Sequence, residues 1–188
     1  MKKTLITLII GTLLLFIWNV ISWMALPFHS KSLITLPDAA FKTQQLQDLL
    51  LEDGIYHYPG LPESNTPEGL RVIEEKLKKG PRISFMSYKK GSTKFFEPST
   101  YLKNIFLNFM TMLLVWYMVR KQANHRLSSI ITTTLCMGLL IGFASDFPQM
   151  NWFKFPWNYT LPNILDHLVG FSLLGLLLSL YTFKVTGV

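Results

Sequence analysis

Cysteine is nearly absent from this chain: its 188 residues hold one, Cys136, inside an apolar run. No intrachain disulfide can form, and no Cys-x-x-Cys pair or Cys/His zinc spacing is present. Charge is scarce as well. Only 15% of residues are Asp, Glu, Lys or Arg, against roughly a quarter in soluble domains. Acidic residues are the scarcer sign, 11 against 18 Lys and Arg, for a formal net charge of +7. There is no phosphate loop, nucleophile elbow, haem-binding His pair or dinucleotide fingerprint, and no internal repeat. These absences rule out a disulfide scaffold and leave the common enzyme classes without a local motif.

Apolar residues fill the space that charge leaves. They make up 49% of the chain, and the mean hydropathy is +0.30. A bilayer core needs about 20 apolar residues per helix, and four segments approach that length. Residues 5–25 are almost continuously apolar. Residues 101–119 are interrupted by Lys103, Asn104 and Asn108. Residues 127–144 carry Ser and Thr but no charge, and 164–183 are apolar after Asp166 and His167. The expected fold is therefore mainly α, a bundle of four transmembrane helices. Residues 1–25 form helix 1, 26–100 a small α/β insert, and 101–188 helices 2 to 4 with an aromatic loop at 145–163.

Charge placement orients the bundle. Residues 26–102 hold ten Lys/Arg and nine Asp/Glu; outside them, eight Lys/Arg face only Asp146 and Asp166. The excess thus sits at the ends of the apolar runs. Lys2 and Lys3 precede helix 1, Arg120, Lys121 and Arg126 fill the short loop after helix 2, and Lys184 follows helix 4. With four crossings all three places fall on one side, the cytoplasmic side by the positive-inside rule. Both termini are then cytoplasmic, and the insert and the loop 145–163 are periplasmic. No basic stripe stands free of the membrane segments, so nucleic acid is not an expected partner. Bulky residues at 22–27 offer no small-x-small cleavage site, which predicts that helix 1 is retained as an anchor.

The insert reads as mixed α/β. Asp38 opens a candidate helix reaching Glu52, and residues 55–58 form a short strand before Pro59. A second helix starts at Thr66 with Pro67 in its first position, and Leu70, Ile73 and Leu77 form its apolar stripe. Gly80 and Pro81 end it. Residues 82–88 read as a strand, 89–92 as a turn, and 94–96 as a return strand. A unit this small has little core of its own.

The topology gathers polar groups at the outer leaflet. Helix 1 ends near His29, helix 2 begins with Lys103, Asn104 and Asn108, helix 3 ends at Asp146, and helix 4 begins with Asp166 and His167. Asn104, Asn108 and Thr111 share one face at spacings of four and three. An ionisable residue inside a span costs about 2.5–3.5 kcal/mol at the centre on insertion scales, so Asp166 needs a partner; Lys103, His29 and His167 are the candidates. Trp152, Phe153, Phe155, Trp157 and Tyr159 crowd the second outer loop, where amphipathic rings prefer the headgroup layer. Gly138-x-x-x-Gly142 and Gly175-x-x-x-Ser179 permit close helix contact.

Three short segments carry a resemblance: residues 21–29 (ISWMALPFH), Gly54-Ile55-Tyr56, and residues 151–156 (NWFKFP) leading into Asp166. Together they resemble a group of small bacterial inner-membrane proteins with an anchor, a periplasmic insert and three further helices. The resemblance implies the layout and the location; it implies no activity and no catalytic residue.

Three functions compete at this point. The first is a non-enzymatic accessory or binding component that engages a lipid or a membrane protein partner, including a second copy of itself, at the outer leaflet, with no cofactor and no metal. The second is a membrane-embedded enzyme with His29, Asp146, Asp166 and His167 as acid–base or metal groups; Asp166 and His167 are adjacent, so their side chains diverge on a helix. The third is a small transporter subunit.

Overall fold

The computed structural model describes residues 2–41, 43–60, 66–91, 93–94 and 96–182. Four helices are long and apolar enough to cross a membrane: Lys2–Ala25, Pro98–Arg120, Leu127–Phe153 and Trp157–Tyr181. The first consists of α1 (Lys2–Val20) and a π-helical turn, Ile21–Ala25. A short helix, α2 (Pro27–Ser32), follows it. The second is α6 (Pro98–Arg120). The third is α7 (Leu127–Ile141), a π-helical turn at Gly142–Asp146, and α8 (Phe147–Phe153). The fourth is α9 (Trp157–Leu177) with a terminal π-helical turn, Leu178–Thr182.

The chain forms two compact units. The larger comprises Met1–Ile34 and Phe95–Val188 and contains the four spans. Its core is built from Leu8 and Leu15 of α1, Met112, Val115 and Val119 of α6, Ile130 of α7, and Phe171, Leu174 and Leu178 of the fourth span. Glycines let the third and fourth spans approach. A Cβ added at Gly138 would lie 2.9 Å from the His167 carbonyl oxygen, and one at Gly142 would lie 3.4 Å from Ile164 Cγ1. A Cβ at Gly175 would run into Thr134 Oγ1 of α7, so Gly138 and Gly175 are the positions where the two spans use the missing side chain. Leu13, Ile17, Phe106, Leu114 and Leu140 point outward and stay exposed; an apolar exterior is what hydrocarbon solvates.

The loop expected at 145–163 is mostly helical. Only Lys154–Pro156 break the path, with Lys154 in the left-handed region at φ 61. Two prolines lie within these helices. Pro148 sits in the first turn of α8, where its missing N–H leaves little unpaired. Pro162 lies inside α9; close by, Thr160 Oγ1 donates to the Pro156 carbonyl at 3.2 Å and Asn163 Nδ2 to that of Tyr159 at 2.8 Å. Pro162 leaves the Asn158 carbonyl without its usual helical donor, and these two bonds go to neighbouring carbonyls.

The smaller unit, Thr35–Lys94, starts later and ends earlier than the 26–100 insert, because α2 belongs to the larger unit. It holds α3 (Asp38–Phe41), α4 (Gln44–Leu49), β1 (Gly54–Tyr58), α5 (Pro67–Lys79) and β2 (Ile83–Tyr88). The helix expected from Asp38 to Glu52 is thus two short pieces. Strands β1 and β2 pair antiparallel, Gly54 opposite Tyr88 and Tyr56 opposite Met86. The return strand expected at 94–96 does not form among the described residues; β1 takes the place beside β2, and Pro98 already opens α6. Helix α5 starts as its sequence requires: Thr66 Oγ1 accepts from the Gly69 amide at 3.2 Å, and Gly80 closes the helix at φ 64. A loop is expected at residues 61–66 from their Pro, Ser and Asn content; residues 61–65 lie outside the described residues.

Candidate functional site

The polar residues of the membrane unit fall into three groups. The first centres on Asp166 of α9. The π-helical turn closes with a bond from the Leu26 amide to the Ile21 carbonyl at 2.9 Å. The chain is then extended at Leu26 (φ −87, ψ 141), and Pro27 starts α2. This reversal returns His29 to Ser22, seven residues earlier. Ser22 Oγ donates to Asp166 Oδ1 at 2.5 Å, and His29 Nε2 meets Asp166 Oδ2 at 2.9 Å and Ser22 Oγ at 3.2 Å. The His29 ring stacks on Trp23, with centroids 3.9 Å apart and planes 9° from parallel. Trp18 Nε1 donates to the Asp166 backbone carbonyl at 3.3 Å. Ser22 and His29 are 1% and 2% exposed.

The second group is the next residue pair along. His167 Nε2 lies 3.1 Å from Asp146 Oδ2, and Asp146 ends the π-helical turn of the third span. Two of the three π-helical turns thus bring one polar side chain each to α9, Ser22 to Asp166 and Asp146 to His167; single π turns inside α-helices are frequent at functional sites.

The third group is a run of carboxamides between α1 and α6. Asn19 Nδ2 approaches Asn108 Oδ1 at 3.4 Å, and Asn108 Nδ2 donates to Asn104 Oδ1 at 2.8 Å. Asn108 is buried. A cleft of about 340 Å³ lies against this run. The first span lines it with Phe16, Asn19, Val20, Trp23 and Met24, and α6 with Thr100, Tyr101 and Asn104.

The seven residues expected to gather at the outer leaflet are therefore divided. His29 with Asp166, Asp146 with His167, and Asn104 with Asn108 form three separate contacts. Lys103 is exposed on α6 and is not the partner of Asp166. Thr111 donates to the Leu107 carbonyl of its own helix at 3.0 Å. Among the aromatic residues of the former loop, Trp152 and Trp157 are exposed, and Phe155 packs edge-on against Tyr159 at 5.3 Å. Ser22, Trp18, Asn19 and Tyr101 were not among the expected site residues. Asn19 had a signal, an isolated carboxamide within an apolar run. Ser22 had none, because a lone serine in a membrane helix is ordinary.

The chemistry open to these groups follows from their geometry. In a serine-nucleophile triad the imidazole bridges Ser and Asp through its two different nitrogens. Here one nitrogen, Nε2, faces both, and Nδ1 is buried without a hydrogen-bond partner. The group binds three chain segments together. Among the described residues no three His, Cys, Asp or Glu side chains converge on a point that a metal ion could occupy.

Comparison of the chain with protein-family models, with curated proteins and with solved structures yields no match. The class follows from the fold: with four helices long and apolar enough to span a bilayer, this is a multi-pass membrane protein.

Proposed function

We propose that this chain is a non-enzymatic binding protein of a bacterial inner membrane, with both termini in the cytoplasm, that holds a lipid in the cleft between α1 and α6 at the outer leaflet. The cleft carries this reading. Its volume, about 340 Å³, falls at the lower end of ligand-pocket volumes, about 300–1,000 Å³. Its lining mixes apolar side chains with hydroxyl and carboxamide groups, a mixture that suits an amphipathic molecule at headgroup depth. Sidedness is supported by Lys2, Lys3, Arg120, Lys121 and Arg126 at one end of the spans. The non-enzymatic part is supported by the burial of Ser22 and His29 and by the double use of His29 Nε2, which leave a substrate no entry and a nucleophile no separate base.

The test is native mass spectrometry of the full chain released from nanodiscs of mixed bacterial lipid. One lipid retained per chain is expected. Thr100→Trp, which fills the cleft from an exposed position, should abolish retention while the helical circular dichroism stays unchanged. Equal retention by this variant would overturn the assignment of the cleft.

A further inference from the structure

The hydrogen-bonding pattern of the cleft limits the lipid it suits. A chain of carboxamides has a direction. Asn19 donates to Asn108, and Asn108 donates to Asn104. One amide group at each end then remains outside the chain: a carbonyl oxygen at Asn19 and an NH₂ group at Asn104. Turning all three amides over reverses the direction but preserves the pattern, with a donor now left at Asn19 and an acceptor at Asn104. In either direction the cleft meets one terminal donor and one terminal acceptor. Tyr101 and Thr100, also in the lining, each carry a hydroxyl that does both. No lining residue is charged.

Headgroup chemistries answer this pattern differently. A phosphate only accepts and carries a charge, and a primary ammonium only donates. A phospholipid head that carries both can reach both ends of the amide chain, but each of its charges enters a lining with no counter-charge. A hydroxyl donates and accepts at once. Vicinal hydroxyls, as on a sugar ring, can satisfy both ends together. The Trp23 indole and the Tyr101 ring also line the cleft; His29 and Phe96 stack on one face of each, and the opposite face is the one a sugar ring would meet. We infer that the cleft between Asn19 and Asn104 selects a lipid with an uncharged, polyhydroxylated headgroup, a neutral glycolipid. This inference rests on the cleft being a lipid site, as proposed above.

The experiment uses the full chain in nanodiscs that contain equimolar glucosyl-diacylglycerol, phosphatidylglycerol and phosphatidylethanolamine with matched acyl chains. Lipids retained per chain are counted by native mass spectrometry. The glycolipid should be enriched roughly tenfold over either phospholipid, the selectivity that one or two neutral hydrogen bonds supply. Asn104→Asp keeps the oxygen that accepts from Asn108 but removes the free amide nitrogen, and should reduce that preference to near unity. Tyr101→Phe, which removes one hydroxyl at unchanged shape, should reduce it partially; it serves as the second variant should the new carboxylate disturb folding. Equal or greater retention of either phospholipid by the unaltered chain would overturn the glycolipid inference and leave the lipid site standing. Retention of no lipid, or of a second copy of the chain instead, would overturn both.

Discussion

His29 and Asp166 stand 137 positions apart in sequence and meet at 2.9 Å, nitrogen to oxygen. The contact joins the segment after the first span to the first half of the fourth. Around it, Ser22 and Trp18 add bonds from the first span itself. Within the bilayer each such bond is modest, about 0.6 kcal/mol on average and up to about 1.7 in measured cases. Removing one partner so that a buried polar group is left unsatisfied costs more, about 1–3 kcal/mol, and more again where that group is charged.

That asymmetry predicts an order among variants. His29→Leu leaves the Asp166 carboxylate with Ser22 alone and should cost about 3 kcal/mol. Asp166→Asn keeps the shape and can turn its carbonyl oxygen to His29 Nε2 and its amide to Ser22 Oγ; about 1–2 kcal/mol is expected, the difference between charge-assisted and neutral bonds. Ser22→Ala should cost about 1 kcal/mol. Thermal unfolding in detergent, with a Ser22→Ala/His29→Leu cycle, reads these values. Additivity of the two substitutions would show that they do not share Asp166.

Two glycines of the third span should respond differently to alanine. At Gly138 the new methyl meets the His167 carbonyl oxygen at 2.9 Å and its carbon at 3.1 Å, both backbone atoms. Helix separation is then required, and a loss of about 1–3 kcal/mol is expected. At Gly142 the nearest atom is a side-chain carbon of Ile164 at 3.4 Å, ordinary contact, so a change within about 0.5 kcal/mol is expected. Parallel melting curves of the two variants decide this, and equal losses would contradict it.

In the smaller unit, Asp53 accepts from Lys89 Nζ and from the Lys90 amide at 2.7 Å. The Lys89 bond first, and the Lys90 amide second, hold its carboxyl below its usual pKa. A depressed folded value contributes stability above the unfolded pKa, near 4, that is lost as pH falls through the folded one. Amide exchange at Gly54 and Tyr88, the paired strand ends next to this contact, should accelerate relative to the rest of β1 and β2 as pH is lowered below about 4. Asp53→Asn should remove that dependence. An unchanged profile in the variant would assign the effect to another group.

Thr66 Oγ1 caps α5 by accepting from the Gly69 amide. Thr66→Ala should cost about 1 kcal/mol, felt locally because no residue of α5 is fully buried. Hydrogen exchange should quicken in the first turn of α5 and not in α6; protection unchanged at Gly69 would show that the cap contributes nothing.

Topology has its own measurement. A reporter active only in the cytoplasm should work when fused after Val188 or within residues 121–126, and a periplasmic reporter should work within the smaller unit. The converse pattern would invert the map and place the Asn19–Asn104 cleft at the inner leaflet.

The sequence by itself determined the four spans and the ends of α5. Hydropathy over about 20 residues and the cap at Thr66 with Pro67 and Gly80 are local properties, read from neighbours along the chain. It also marked Asp166 as a group that needs a partner, because the cost of an ionisable side chain in hydrocarbon is known in advance. Which partner it takes was left to the tertiary structure. His29 rather than Lys103 meets Asp166 because a π-helical turn and the Leu26–Pro27 reversal fold α2 back against α9, and such backbone shifts have no signature in residue type. The same holds for the separation of Asp146–His167 from Asp166, and for the cleft that Asn19 shares with Asn104: both depend on which helix faces meet, a choice made by the packing of all four spans together.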